Sequence, residues 1–319
     1  MAPSLDLLTA NLLSPVVLAF ALGMIARGLR SDLEIPSAIQ SYLSIFLLLA
    51  IGLKGGVALH QGAPDNLWLL LGVTIVAGIA TAATAYLLAR TWLRDDALQA
   101  GAIAAHYGSV SAVTFIAAQQ FVERTGGQPL EVLVALVVAL EIPAILLGIG
   151  LARGGGRPSW PQVREVLTGR TAVLLLGGLA IGAIAGKDGV QAVDAMYFQL
   201  FQGMLMLFML DMGMLAAAQL RTIGREAARL VPYAIAVPLL HGCAGAVVAR
   251  LAGMEPGTAT VFATMVASAS YIAAPASLRA SMPEANVGRC LAASLGVTFP
   301  FNLAIGIPLY GVVAGAIGG

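Results

Sequence analysis

Charged residues are scarce in this sequence: Asp, Glu, Lys and Arg make up 10% of its 319 residues, too few for a water-soluble domain of that length. Cysteine is scarcer still. Cys243 and Cys290 are the only two, both in apolar stretches where a thiol packs as a small hydrophobe, so neither a disulfide nor a cysteine metal site is expected. Spacings for zinc ligands, a phosphate-binding loop or a Ser/His/Asp nucleophile are missing, so the sequence does not read as an enzyme and calls for no cofactor. A net charge of +1 gives no pull toward nucleic acid. The opening "MAPSLDLLTANLLSP" lacks a basic run ahead of its first apolar block, so it does not read as a cleavable signal, and the first apolar segment is expected to be retained.

What is present is apolar length. Hydrophobic residues make up 59% of the chain and the mean hydropathy is +0.90. A bilayer core about 30 Å thick takes roughly 20 apolar residues per helical crossing, and such blocks follow one another almost end to end. The fold class is therefore an all-α integral membrane protein. Ten spans are predicted, near 13–27, 37–59, 66–90, 97–122, 130–152, 171–186, 192–218, 229–252, 257–282 and 286–316. Short connections with turn chemistry join them, such as "QGAPDN" and "RTGGQP".

The arginines sort by loop. Arg27, Arg30, Arg90, Arg94, Arg153, Arg157, Arg164, Arg170, Arg221, Arg225, Arg229, Arg279 and Arg289 all fall in odd-numbered loops, leaving the even loops Arg124, Lys187 and Arg250, and leaving Lys54 inside a span. Basic residues gather on the cytoplasmic side of a membrane. The expectation is a multi-pass protein of the plasma membrane with both termini outside the cytoplasm.

The two halves echo each other about 160 residues apart, an internal symmetry typical of secondary transporters. "LAIGLKGG" answers "LDMGML", "GSVSAVTFIAA" answers "ASASYIAAPAS", and Pro143 answers Pro300 or Pro308. Five spans per half would insert the second copy upside down, giving a first repeat over 1–152, a cytoplasmic linker over 153–170 and an inverted second repeat over 171–319. Within this symmetry, "HYGSVSAVTF" and "SASYIAAPAS" put glycine, proline and hydroxyl residues in the middle of spans four and nine. Backbone groups in lipid must be satisfied internally, so such breaks persist only where protein or a water-filled cavity covers them. Gly108 lets the chain leave helical geometry, and Pro275 suits the first turn of a new helix. If both helices break, two helix N-termini meet at mid-membrane, each carrying about +0.5 of an elementary charge. Together they would hold one monovalent anion, with serine hydroxyls completing its hydrogen bonds and the carbonyl ends of the first halves favouring a cation alongside. Close packing of small residues would also explain either break taken singly.

These residues, with "HG" at 241–242, "ASASYIAAPASLRASMPEAN", "IGLKGG", "EIPA" and the closing "GIPLY", resemble the sodium-dependent bicarbonate transporter family over nearly the whole chain. The resemblance implies two inverted five-span repeats, a core domain moving against a scaffold in an elevator-like cycle, a homo-oligomer that is often a trimer, a sodium ion as coupling ion, and a PII-like regulatory protein as partner. By position, the anion site would comprise Gly108, Ser109, Val110, Ser111, Thr114, Ser268, Ala269, Ser270 and Tyr271. Three departures accompany the likeness. Tyr271 stands where cyanobacterial members have an aspartate, Lys54 stands near a small hydroxyl residue, and the insert between spans five and six shrinks to "RGGGRPSWPQVREVLTGR".

An ionisable residue inside a span raises the free energy by roughly 2.5–3.5 kcal/mol at the membrane centre, so each one needs a reason. Lys54 and Asp211 occupy matching places in the two halves, and an ion pair between them is expected. Lys54 could alternatively supply the fixed positive charge that sodium supplies in relatives. Glu141 precedes Pro143, which frees a carbonyl one turn back, and it could bind a cation, carry a proton or brace the breaks. His106 stands at the first break as a packing residue or a proton relay. Lys54, Asp211, Glu141 and His106 are thus the candidate ion-coupling residues. The reading is a secondary transporter of a small anion, bicarbonate first, in contact with membrane lipid. A sodium/proton exchanger of similar broken-helix design is the alternative, and a non-transporting membrane sensor or scaffold is the third.

Overall fold

The computed structural model describes residue 9 and residues 11–130 and 132–317. The stretch over 1–8 and 10, read above as lacking a leader, lies outside the described residues, as do the end at 318–319 and the side chain of Arg225. Every element described is helical, and thirteen helices of eight residues or more carry the architecture. In chain order these are α1 (Pro15–Gly28), α2 (Ser37–Gln61), α3 (Leu67–Leu93), α4 (Ala97–Tyr107), α5 (Ala112–Arg124), α6 (Leu133–Ala152), α7 (Trp160–Leu167), α8 (Arg170–Gly189), α9 (Phe201–Leu220), α10 (Ala227–Leu251), α11 (Pro256–Val266), α12 (Ala273–Ser281) and α13 (Val287–Ala316). Their starts carry the expected chemistry. Ser14 accepts from the Val17 amide ahead of Pro15, Asp96 accepts from the Gln99 amide at 2.8 Å, and Asn286 accepts from the Arg289 amide at 3.0 Å, each satisfying a donor that the first helical turn leaves free.

Among the described residues, eight helical stretches are long and apolar enough to cross a bilayer, counting α4 and α5 as one, and the chain is a multi-pass membrane protein. The ten spans expected from sequence fall into two groups. Eight match these stretches; of the other two, the first is the 14-residue α1, and the ninth is divided into α11 and α12, of 11 and 9 residues. At 1.5 Å per residue, none of these three reaches a roughly 30 Å core alone. The linker over 153–170 is not a plain loop, because Ser159 and Gln162 form a capping box that starts α7.

Glycine lets the framework helices touch backbone to backbone. On α2, Gly52 and Gly56 face Gly178 and Gly182 of α8; a Cβ at Gly178 would stand 2.8 Å from the Leu49 carbonyl oxygen, and one at Gly182 would run into the Leu53 carbonyl. Gly23 of α1 lies against the Leu210 carbonyl of α9, and Gly213 of α9 against the Phe20 carbonyl of α1. Small residues four apart give transmembrane helices this close approach, since apolar lipid supplies little drive for helices to associate. The α4–α6 and α10–α11 pairs build the rest of the bundle, and α4, α5, α11 and α12 lie at its centre.

Candidate functional site

Both helix breaks predicted from the serine-rich stretches are present. α4 ends at Tyr107 and α5 starts at Ala112; α11 ends at Val266 and α12 starts at Ala273. Each half of one helix packs beside the opposite half of the other, α5 on α11 and α4 on α12. The two breaks are stitched together. The Ser111 amide donates to Ser268 Oγ at 2.9 Å, the Ser268 hydroxyl donates to the Met265 carbonyl at 2.8 Å, and the Ser270 amide donates to the His106 carbonyl at 2.8 Å. Ser111 also caps α5 by accepting from the Thr114 amide at 3.2 Å, and Ser270 does the same for α12 through the Ala274 amide at 3.2 Å. The amides of Ala112, Val113, Ile272 and Ala273 have no acceptor among the described residues. These are the donors that helix N-termini hold out to an anion.

The role expected for Gly108 is corrected. Its φ of −87° and ψ of −16° suit any residue, so conformational freedom is not what the position requires. A Cβ there would come within 2.9 Å of Ala144 Cβ and of Ala82 Cα: the glycine lets α3 and α6 close on the break.

A small cavity opens at the crossing, lined by Val110, Ser111, Ala112, Ser270, Tyr271, Ile272 and Ala273 from the breaks, and by Leu48, Glu141 and Thr171 from α2, α6 and α8. Its free space is about 10 Å³, the room of a single water molecule. Of the nine residues expected at the anion site, Val110, Ser111, Ser270 and Tyr271 line this cavity. Ser268 and Thr114 brace it through the bonds above, and Gly108 packs behind it. Ala269 lies in an apolar cluster, and the Ser109 hydroxyl is buried beside the break. Two hydroxyls here have no hydrogen-bond partner in the structure, those of Ser109 and Tyr271. Tyr271 is 8% exposed, and its hydroxyl lies near Ser111 without bonding to it. A buried polar group without a partner is destabilising, and so marks a place where something else completes the bonding.

The four candidate ion-coupling residues separate. Glu141 lines the crossing cavity together with a larger one of about 400 Å³ that also holds Glu165, Thr168 and Arg170. His106 bonds through Nδ1 to the Ala102 carbonyl at 2.8 Å, and its Nε2 is buried without a partner. The ion pair expected between Lys54 and Asp211 is not formed. Asp211 accepts from Gln40 Nε2 at 2.8 Å, and Gln40 lies 14 positions before Lys54 on the same helix, roughly 21 Å away along its axis. The two charges therefore lie at different levels along α2. Lys54 does not line the crossing cavity either, and does not supply a charge there.

Several contributors escaped the sequence reading. Asn302, in a wide turn of α13, donates to the Ala267 carbonyl at 3.0 Å and accepts from the Tyr310 hydroxyl at 3.0 Å, holding the end of α11 in place. An asparagine inside an apolar span, about 160 residues after Glu141, was the available signal. Thr171 and Leu48 carried none, because a threonine at a helix start and a leucine in a span are ordinary. Among the described residues no three His, Cys, Asp or Glu side chains gather as a metal site would require.

Two apolar helices interrupted side by side, with unbonded amides where their second halves begin, have the build of a broken-helix membrane carrier. The model of the Na+-dependent bicarbonate transporter superfamily matches residues 15–315, and the chain belongs to that superfamily. No curated protein matches the chain.

Proposed function

We propose that this protein carries bicarbonate across the plasma membrane by alternating access, with the anion held where α5 and α12 begin. One observation carries the reading. The crossing cavity has the unbonded amides of Ala112, Ile272 and Ala273 and the unpartnered Tyr271 hydroxyl on its walls, with no Lys, Arg or His side chain and Glu141 as its one acid. Two helix N-termini, each equivalent to about half a positive charge, match one monovalent anion, and the carbonyls of the first halves leave a place for a sodium ion beside it. Bicarbonate is singly charged and rich in acceptor oxygens, as such a cradle requires, and the two breaks must part to admit it, since the cavity here has the room of one water molecule.

The packing order supports two inverted repeats over 1–152 and 171–319. α1 lies on α9 while α2 lies on α8, so the first helix of each half pairs with the second helix of the other, as a two-fold axis in the membrane plane demands. Likewise α3 packs on α4 and α4 on α6, mirrored by α10 on α11 and α11 on α13. In this assignment α4–α5 and α11–α12 are the broken fourth and ninth spans. The termini face outward, and the face bearing Arg27, Arg90, Arg94, Arg153 and Arg170 is cytoplasmic. The crossing cavity shares Glu141, Thr171, Ile272 and Ala273 with the 400 Å³ cavity on that face, so the carrier stands open inward. A trimer and a PII-like partner belong to the same proposal; α7, whose Glu165 and Val166 line the inner cavity, is the element such a partner would reach.

Labelled-bicarbonate uptake by purified protein in liposomes, with sodium and proton gradients imposed separately, tests the reading. Saturable uptake that Ser111→Ala weakens is expected. Sodium flux driven by a pH gradient and dependent on Asp211, with no bicarbonate uptake, would identify an exchanger instead.

A further inference from the structure

Lys54 is a cation in the middle of an apolar helix, 17 positions from its first residue and seven from its last. A charge so placed needs a counter-ion or a function. Among the described residues no carboxylate lies within 4 Å of it; its Nζ stands 6.0 Å from the centre of the Phe201 ring. It lines two cavities that share Lys54 and Gln61. One is about 390 Å³, with Gln119, Gln120, Glu123 and Gln128 on its walls; the other is about 640 Å³, with Lys187, Asp188, Gln191, Asp194 and Gln199. Both open on the face away from the arginine cluster of Arg27, Arg90, Arg94, Arg153 and Arg170, a face that itself carries Arg124, Lys187 and Arg250. Glu123 and Asp188 are exposed at the rim, where solvent screens them, and the half-buried Asp194 accepts from Gln199 at 2.7 Å. Lys54 is half-buried, whereas Lys187, the other lysine on these walls, is exposed.

Leu48 of the same helix lines the crossing cavity. Lys54 lies six positions further on, roughly 9 Å along the axis, and Gln40 lies eight positions back, roughly 12 Å the other way. The in-span charge at the level of Gln40 is an acid: Asp211 is 1% exposed, with Oδ2 unpartnered in a cleft it shares with Arg27, Asp32 and Glu34. The scaffold thus presents a cation above the crossing and a carboxylate below it.

We propose that Lys54 is a docking cation for the transported anion on the face away from the arginines only, so that the carrier takes its anion with higher affinity from that face than from the other. This rests on the reading of the protein as a bicarbonate carrier. Lys54 holds the anion about 9 Å along α2 from the level of Leu48, which lines the crossing cavity. The amides at the starts of α5 and α12 then take up its charge, with Glu141 as the acid on the cavity wall.

The test is initial-rate uptake of labelled bicarbonate at alkaline pH into right-side-out and everted vesicles. Lys54→Gln is expected to raise the apparent KM from the face away from the arginines about tenfold, the loss of one charge-assisted contact, and to leave the KM from the arginine-rich face unchanged in the same preparation. Lys54→Arg restores the affinity. The unchanged face reports that the variant is folded. An equal rise on both faces, a rise confined to the arginine-rich face, or no rise at all overturns the role of Lys54 and leaves the carrier reading standing. Wild-type vesicles without saturable bicarbonate uptake from either face overturn both.

Discussion

The hydroxyl of Tyr271 is the most informative single atom in the site. It lines the crossing cavity, is buried and bonds to nothing in the structure. Removing such a group takes away no folded-state hydrogen bond, so Tyr271→Phe should leave the melting temperature in detergent unchanged or slightly higher. If that hydroxyl donates to the anion, the apparent KM for bicarbonate should rise about threefold to tenfold. Ser111 differs, because it also caps α5 through the Thr114 amide. Ser111→Ala should lower stability by about 1 kcal/mol, the usual worth of an N-cap, and weaken uptake as well. Thermal melts and flux on the same two preparations separate the roles; a Tyr271→Phe variant that melts early would show the hydroxyl to be structural. The serines and Tyr271 were legible from sequence because hydroxyls within an apolar span stand out. Which of them face the cavity was not, since Ser109, Ser111, Ser268 and Ser270 are chemically alike and backbone direction alone assigns their parts.

Elements succeed or fail here on how closely backbones approach. α2 and α8 meet through Gly52, Gly56, Gly178 and Gly182. Gly182→Val would push a side chain into the Leu53 carbonyl and the backbone of Val57 and Gly56. That backbone cannot yield as a flexible side chain would, so a clearly lower melting temperature is expected, with protein aggregating on solubilisation. Gly72 has nothing near its missing Cβ, and Gly72→Ala is expected to be neutral or mildly stabilising by the helix propensity of alanine. A Gly182→Val protein as stable as Gly72→Ala would show that the glycine contact does not hold the framework together. The "GxxxG" spacing of these residues is in the sequence, but the partner of each helix is not. Nor does spacing alone show that Gly108 serves the approach of Ala82 and Ala144 rather than a turn.

At the scale of the molecule, the distribution of the arginines carries the proposed orientation in the membrane. Single cysteines placed at Arg157 in the linker and at Gln128 between α5 and α6, with Cys243 and Cys290 replaced, should react from opposite sides of intact cells. A membrane-impermeant maleimide should label position 128 and spare position 157 until the membrane is opened. Labelling of both from outside would refute the assigned orientation. Arg289, in the first turn of α13, pairs with Asp95 at 2.7 Å and with Glu226, so it ties the end of α3 to the start of α10.

Composition and order alone determined that the chain is an α-helical membrane protein, which face carries the arginines, and that two spans are interrupted at matching places. These follow from local chemistry: lipid excludes unpaired backbone, glycine and proline interrupt helices, and basic residues stay on one side. Tertiary structure decided the rest. Only the crossing of two broken helices brings Ser111 to Ser268 and Ser270 to His106 across more than 150 residues of chain, and only the packing sets Asp211 beside Gln40, far from Lys54 on the same helix. Similar segments read alike in one dimension, whereas the direction each runs through the membrane sets what its side chains meet.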